Sequence, residues 1–427
     1  MNYMKILAIE SSCDETAVAI AEGVGEKVTI LSNIVASQIS IHQKYGGVIP
    51  EVAAREHVLN IIPVINEALI KAGLPLRPPA TSPYQGEDYP LCSRESKFVQ
   101  TIHQGKDYPL LSKEGCPSLA EDDESRRASL AEDDESRRAK GGVVDVIAVT
   151  AGPGLITSLS VGLETAKCLS YAWNIPIVAV NHIAGHIYAN WIDEVTNNEE
   201  LGASIKFPAV IMTVSGGHNM LILMRDHLDF EVIGDTLDDA AGEAFDKAAK
   251  MLGLGYPGGP AIAHNAQLIT HNVNKEELQV TSYELRKIQL PRPMINSTNL
   301  NFSFSGLKTA LLYTLKKDAD WQNRIPEYAQ EFQQAVVDTL IFKTIQAAKH
   351  FNAKTVLLAG GVSANLELRK QLEKAVAKQL PQARFGLPDL KYTTDNAAMI
   401  ASAGYFMAQA GRFTVWHDLK VDPNLNL

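Results

Sequence analysis

His182 and His186 stand four residues apart, so on a helix their imidazoles share one face, a turn from each other, and could bind one metal ion. The pattern is not that of a zinc protease, because Ile183 occupies the place of the glutamate base in HExxH. Taken alone, such a pair is more often structural. The metal reading therefore depends on a third ligand, and Asp395 in Thr393-Thr394-Asp395-Asn396 offers one at the start of the apolar run 397–407. The alternative is that Asp395 only caps that helix. Two histidines and a carboxylate make the facial set typical of Fe(II), which zinc also accepts.

Three glycine-rich turns form a second group: Ser215-Gly216-Gly217, Gly360-Gly361 and Pro257-Gly258-Gly259-Pro260. Glycine at the end of a strand lets backbone N–H groups approach a phosphate. With the acidic turn Asp14-Glu15, these turns fit a nucleotide held in a cleft. Asp238-Asp239, Glu243 and Asp246 have helical spacing. They read either as a solvated helix face beside Lys247 and Lys250 or as carboxylates for ribose hydroxyls. The stretch 302–308, FSFSGLK, reads as a packed strand or helix cap, with a weak RNA-contact alternative.

The elements that must position these groups alternate. Lys5–Glu10 and Thr16–Ala21 are aliphatic strands around a polar turn, and Ala209–Val214 and Asn219–Met224 repeat that plan around the 215–218 turn. Strands are expected at 144–150, 177–180 and 355–359, with helices at 157–173, around His182 and His186, and at 328–351. This is α/β sequence with parallel pairing in two lobes of related topology, and its turns fall where such folds bind ligands.

Of the 427 residues, 46% are hydrophobic and 21% charged, which is globular composition. Four cysteines without framework spacing fit a reduced, cytoplasmic compartment. No membrane span or secretory signal is expected. The net charge of −10 argues against a broad nucleic-acid-coating surface but not against a local basic patch or a basic partner. Residues 75–142 differ in kind: they are Pro- and Ser-rich and charged, with SLAEDDESRRA repeated at 118–128 and 129–139. Such composition buries too little apolar surface to offset ordering entropy, so a disordered insertion is expected there.

In order, the motifs ILAIESSCDET (6–16), HQKYGGVIPEVAAREH (42–57), TAGPGLITSLSVGLETAK (150–167), VNHIAGHIYA (180–189), VSGGHN (214–219), DDAAGEAFDKAAKMLGLGYPGGP (238–260), FSFSGLKT (302–309), AGGVSAN (359–365) and TDNAAMIA (394–401) resemble one family. It is that of the bacterial TsaD-type tRNA N6-adenosine threonylcarbamoyltransferases, related to the catalytic subunit of the KEOPS complex. The resemblance spans all but the insertion. It implies the actin-like (ASKHA) fold, with a first lobe from 1–74 and 143–205, a second lobe from 206–391, and a C-terminal helix in 392–427 returning to the first. It further implies an acyltransferase that moves the threonylcarbamoyl group from threonylcarbamoyl-adenylate to the adenosine 3′ of the anticodon, in tRNAs reading codons that begin with A. By motif match, His182, His186 and Asp395 would hold one Fe(II) per subunit, with zinc possible. Thr213, Val214, Ser215, Gly216, Gly217, Asp246, Gly259 and Asn365 would bind the donor. Asp14 or Glu15 is the expected base. A paralogous subunit and an ATPase are the implied partners. Many relatives carry histidine where Asn181 stands, at a position outside the implied ligand set. The rivals are a kinase or ATPase of the same fold, a metalloprotease and a non-catalytic scaffold, none of which needs this full set of positions.

Overall fold

A computed structural model describes residues 3–76, 143–193, 205–272 and 288–427. The expected insertion lies outside these, apart from Pro75 and Leu76. The described chain contains two sheets. The first has the order β5-β4-β1-β2-β3-β6, with β1 Met4–Glu10, β2 Glu15–Val24, β3 Lys27–Ser37, β4 Val146–Gly152, β5 Ile177–Asn181 and β6 Ile192–Asp193. The second has the order β11-β10-β7-β8-β9, with β7 Ala209–Val214, β8 Asn219–Asp226, β9 Asp229–Gly234, β10 Thr355–Ala359 and β11 Arg384–Gly386.

The two sheets share one topology. In each, three antiparallel strands come first: β1-β2-β3 in one and β7-β8-β9 in the other. The fourth strand then returns parallel beside the first, and the fifth lies parallel to the fourth. This duplicated arrangement is the two-lobed actin-like fold expected above. Parallel neighbours bury a strand on both faces, which is why β4 (VIAVTAG), β7 (AVIMTV) and β10 (TVLLA) are buried throughout.

Side-chain alternation divides β7 between two cores. Val210, Met212 and Val214 face the second lobe's helices, while Ala209 and Ile211 face a core shared with Ile6, Ala8, Ala17 and Ala19 of the first sheet. Between the sheets lie α4 (His182–Tyr188) and α10 (Ala397–Gln409). The sequence of α10, AAMIASAGYFMAQ, is apolar all round, as a helix buried on every side requires. Small residues let it sit close to the sheet: a Cβ on Gly404 would lie 2.5 Å from the Ala148 Cβ. The remaining helices are α1 Ile39–His42, α2 Pro50–Lys71, α3 Ile156–Trp173, α5 Ala241–Met251, α6 Gly258–Asn272, α7 Ser305–Lys317, α8 Ile325–His350 and α9 Leu366–Gln379. Helices α2 and α3 pack on the strands of the first sheet.

One sequence expectation changes and one alternative falls away. Pro257–Pro260 is not a free turn, because α6 begins at Gly258 within it. In the 302–308 stretch, Phe302 and Phe304 are wholly buried in the second lobe's core, so they do not face RNA. The alternating hydroxyls of Ser303 and Ser305 donate to Asp238, and Asp238 also accepts the Phe304 and Ser305 N–H groups at the start of α7.

Candidate metal centre and the facing cleft

A helix of seven residues is too short to persist alone. Two features hold α4. Ile183, Ile187 and Tyr188 bury in the shared core. Asn181 caps its first turn, its Oδ1 accepting from the Ile183 N–H at 2.8 Å and the Ala184 N–H at 3.3 Å. The Asn181 amide also donates to the Leu425 and Asn426 carbonyls, so the C-terminal segment braces the same cap.

This helix presents both histidines to Asp395, whose Oδ1 lies 3.5 Å from His182 Nε2 and 3.2 Å from His186 Nε2. The rings meet edge to face with centroids 4.7 Å apart. One ligand atom from each residue falls within 4.8 Å of the others, a grouping that could hold a metal ion. Asp395 is not the cap of α10. That role belongs to Asn396, which accepts from the Met399 N–H at 3.1 Å. The Asp395 carboxylate is left for the histidines.

The donor set fits a metal on a specific observation. Both ring nitrogens of His186 are buried without a hydrogen-bond partner, although one lies near Asp395. Leaving buried polar atoms unpaired costs free energy, and a metal would satisfy the outward one. Burial opposes charge on Asp395, yet His182 and His186 more than reverse this and hold its carboxyl far below the carboxylate range. Burial likewise opposes protonation of His182, and Asp395 and Glu10 overcome it, raising its pKa well above the usual histidine value.

The acidic turn lies beside this group. Burial, and then Asp14, raises the Cys13 pKa and favours the neutral thiol. Burial, with help from Asp14 and Asp395, pushes Glu15 up to about 7, against the hydrogen bond from Ser37. Glu15 Oε2 is buried without a partner. The turn is fastened from behind by buried His57, which donates from Nε2 to the Cys13 carbonyl at 3.0 Å and accepts at Nδ1 from the Thr16 hydroxyl at 2.7 Å. Burial holds the His57 pKa below its ordinary value.

The second lobe carries its glycine turn between β7 and β8. His218, the last residue of the turn, has a pKa lowered by burial and then by His182 and His186. Thr213 and Val214 are core strand residues with no exposed side chain. Only Ser215, Gly216 and Gly217 emerge from the core, and Ser215 closes the turn by accepting from the His218 N–H at 3.1 Å. Asp246 is pinned by accepting from the Gly258 N–H at 2.6 Å. Asn365 caps α9 and donates to Gln333, so its side chain already has partners at both ends.

Sequence reasoning missed Glu10, His57 and Tyr256. Glu10 is the one acid in the apolar strand MKILAIE, which was the available signal. Tyr256 precedes the PGGP segment. Its phenol is pushed up to about 12 by burial, then by Asp246 of the second lobe and Asp14 of the first. Its carbonyl accepts from Gln43 Nε2 at 3.2 Å, joining the lobes.

Fold and site together define a class: an actin-like α/β protein with a His–His–Asp group in its first lobe and a glycine turn after the first strand of its second. Comparison with known proteins makes it particular. The family described as "TsaD: tRNA N6-adenosine threonylcarbamoyltransferase" matches residues 29–78 and 138–402, and the chain belongs to that family. A tRNA N6-adenosine threonylcarbamoyltransferase of Dehalococcoides mccartyi is 41% identical over 96% of this chain and 95% of its own length. One from Bacillus subtilis is 40% identical over 99% of this chain and 96% of its own length. Among solved structures the likeness is looser: YeaZ from Pseudomonas aeruginosa, 11% identical, matches with a TM-score of 0.34 over 98% of this chain and 99% of that one. No described helix is long and apolar enough to cross a membrane.

Proposed function

We propose that this chain transfers the threonylcarbamoyl group from threonylcarbamoyl-adenylate to the N6 amine of the adenosine 3′ of the anticodon, in tRNAs reading codons that begin with A. The observation that supports this most is the convergence of His182, His186 and Asp395 in a chain of the tRNA N6-adenosine threonylcarbamoyltransferase family. His182, His186 and Asp395 would hold one Fe(II), or zinc in its place. When bound, the ion would supply a Lewis acid and an orienting charge at the reacting carbonyl.

The chain's own groups carry the rest. Backbone N–H groups at Ser215–Gly217 receive the adenylate phosphate, and Asp246 holds ribose hydroxyls. Glu15, with an unpartnered buried oxygen and a pKa near neutrality, accepts the proton that the amine loses. The N6–carbon bond forms as the bond from the carbamoyl carbon to the phosphate oxygen breaks, and AMP leaves. A splayed anticodon-loop base would reach the cleft at the rim marked by Tyr256. A paralogous subunit and an ATPase would act with this chain in the cytoplasm. The test is transfer by purified protein given the adenylate and tRNA, before and after chelation and with or without those partners. Absence of transfer under every condition would refute the reading.

A further inference from the structure

Glu10 ends β1 with a side chain entirely excluded from solvent. An unpaired carboxylate there would be costly, so its hydrogen bonds define its purpose. Oε1 accepts from the Ser12 N–H at 2.5 Å, and Oε2 accepts from the Thr150 hydroxyl at 2.7 Å. Oε2 also lies 3.1 Å from His182 Nδ1, which sits 3.1 Å from the Ser12 hydroxyl as well. One carboxylate thus ties together the end of β1, the end of β4, the acidic turn and the metal-facing helix α4.

We propose that Glu10 is a positioning residue that orients His182 for metal binding. This inference rests on the metal reading above. With two other donors already on the carboxylate, His182 contributes the third from Nδ1–H. In the neutral ring that a metal requires, this fixes the tautomer with its lone pair on Nε2, the nitrogen that faces Asp395. The same contact makes the imidazole a stronger ligand and resists rotation of its ring. His186 has no such support, since its Nδ1 is buried without a partner. The two histidines are therefore unequal: one is held by a buried anion, and the other only by packing. Glu10 touches no reacting atom, and its effect passes wholly through His182.

The experiment titrates Co²⁺ into the full-length protein and its variants and follows the visible absorption of the bound ion. Glu10→Gln keeps the size of the side chain but sets an amide against the surrounding donors. It should weaken binding about tenfold to a hundredfold, the usual loss on removing a partner of a metal-bound histidine. Thr150→Val removes one donor from Glu10 and leaves the His182 contact, so its loss should be smaller. Wild-type affinity in a folded Glu10→Gln protein would overturn the proposal. Should that variant fail to fold, nitrogen-15 spectra of Zn²⁺-loaded wild-type protein decide instead. Metal on His182 Nε2 with a protonated Nδ1 supports the proposal, and metal on Nδ1 overturns it. A wild-type protein that binds no stoichiometric metal would overturn the metal reading and this inference together. A wild-type site that binds while Glu10→Gln binds equally well would remove this inference alone.

Discussion

The two lobes offer different materials. The first lobe supplies side chains: two histidines and an aspartate converge, a buried glutamate stands behind one of them, and a neutral histidine fastens the acidic turn. The second lobe supplies backbone and empty space. A Cβ added at Gly216, Gly217 or Gly259 would meet nothing within 4 Å, so packing within the protein does not require glycine there. Other glycines of the same lobe are required by packing: a Cβ at Gly242 would lie 2.6 Å from Gly216 Cα, and one at Gly258 would lie 2.5 Å from Asp246 Cα. The contrast separates glycines that let the chain meet itself from glycines that leave room for something else.

If the side-chain half carries the chemistry, its variants should show the largest effects. His186→Ala and Asp395→Ala should each lose bound metal by elemental analysis and slow transfer by a hundredfold or more, as loss of part of the coordination set implies. Full occupancy and full activity in both would dissolve the contrast. Glu15→Gln should lower the rate about a hundredfold and abolish the rise in rate as pH passes about 7. The same carboxyl gives a stability test. In the fold it holds its proton to about 7, against an ordinary value of 4.5, so its protonated form contributes stability below 4.5 that is lost as pH rises through 7. Glu15→Gln cannot ionise, and its melting temperature should gain on the wild type above pH 7 and not below 4.5.

On the backbone side, Gly217→Val should weaken binding of a non-hydrolysable adenylate analogue about tenfold or more while leaving the unfolding transition cooperative, because the new methyls occupy space that only a ligand would use. Unchanged affinity by calorimetry would make the 215–217 turn a plain hairpin.

The duplicated topology was legible because each lobe announces itself with two aliphatic strands around a polar turn, at Lys5–Ala21 and Ala209–Met224. The metal group was legible only in part. The HxxxH spacing indicates one helical face, but nothing in periodicity brings residue 395 beside residue 182, and the motif order supplied that link. Glu10 and His57 escaped because their roles lie in hydrogen bonds between segments 41 to 172 residues apart. The local signal of Asn365 is that of a helix cap, and its side chain fills that role.

The smallest expected effect tests the glycine distinction most directly, by alanine at two positions with ligand absent. Gly360 has a φ of 86°, in the region that side chains avoid, and an added Cβ would lie 2.4 Å from the Val214 carbonyl oxygen. That contact is where the end of β10 closes on the end of β7, so neither backbone can yield without disturbing the Ala359–Thr213 pairing. Gly360→Ala should therefore lose about 1–3 kcal/mol from backbone strain, with the overlap adding to it. Gly217 has no positive φ and open space ahead of it. Gly217→Ala should be neutral or gain up to about 1 kcal/mol, because alanine restricts the unfolded chain without straining the folded one. Urea unfolding of the two variants measures both numbers on one scale. A loss at Gly217 comparable to that at Gly360 would mean that its openness is illusory and that packing, rather than ligand space, explains glycine there.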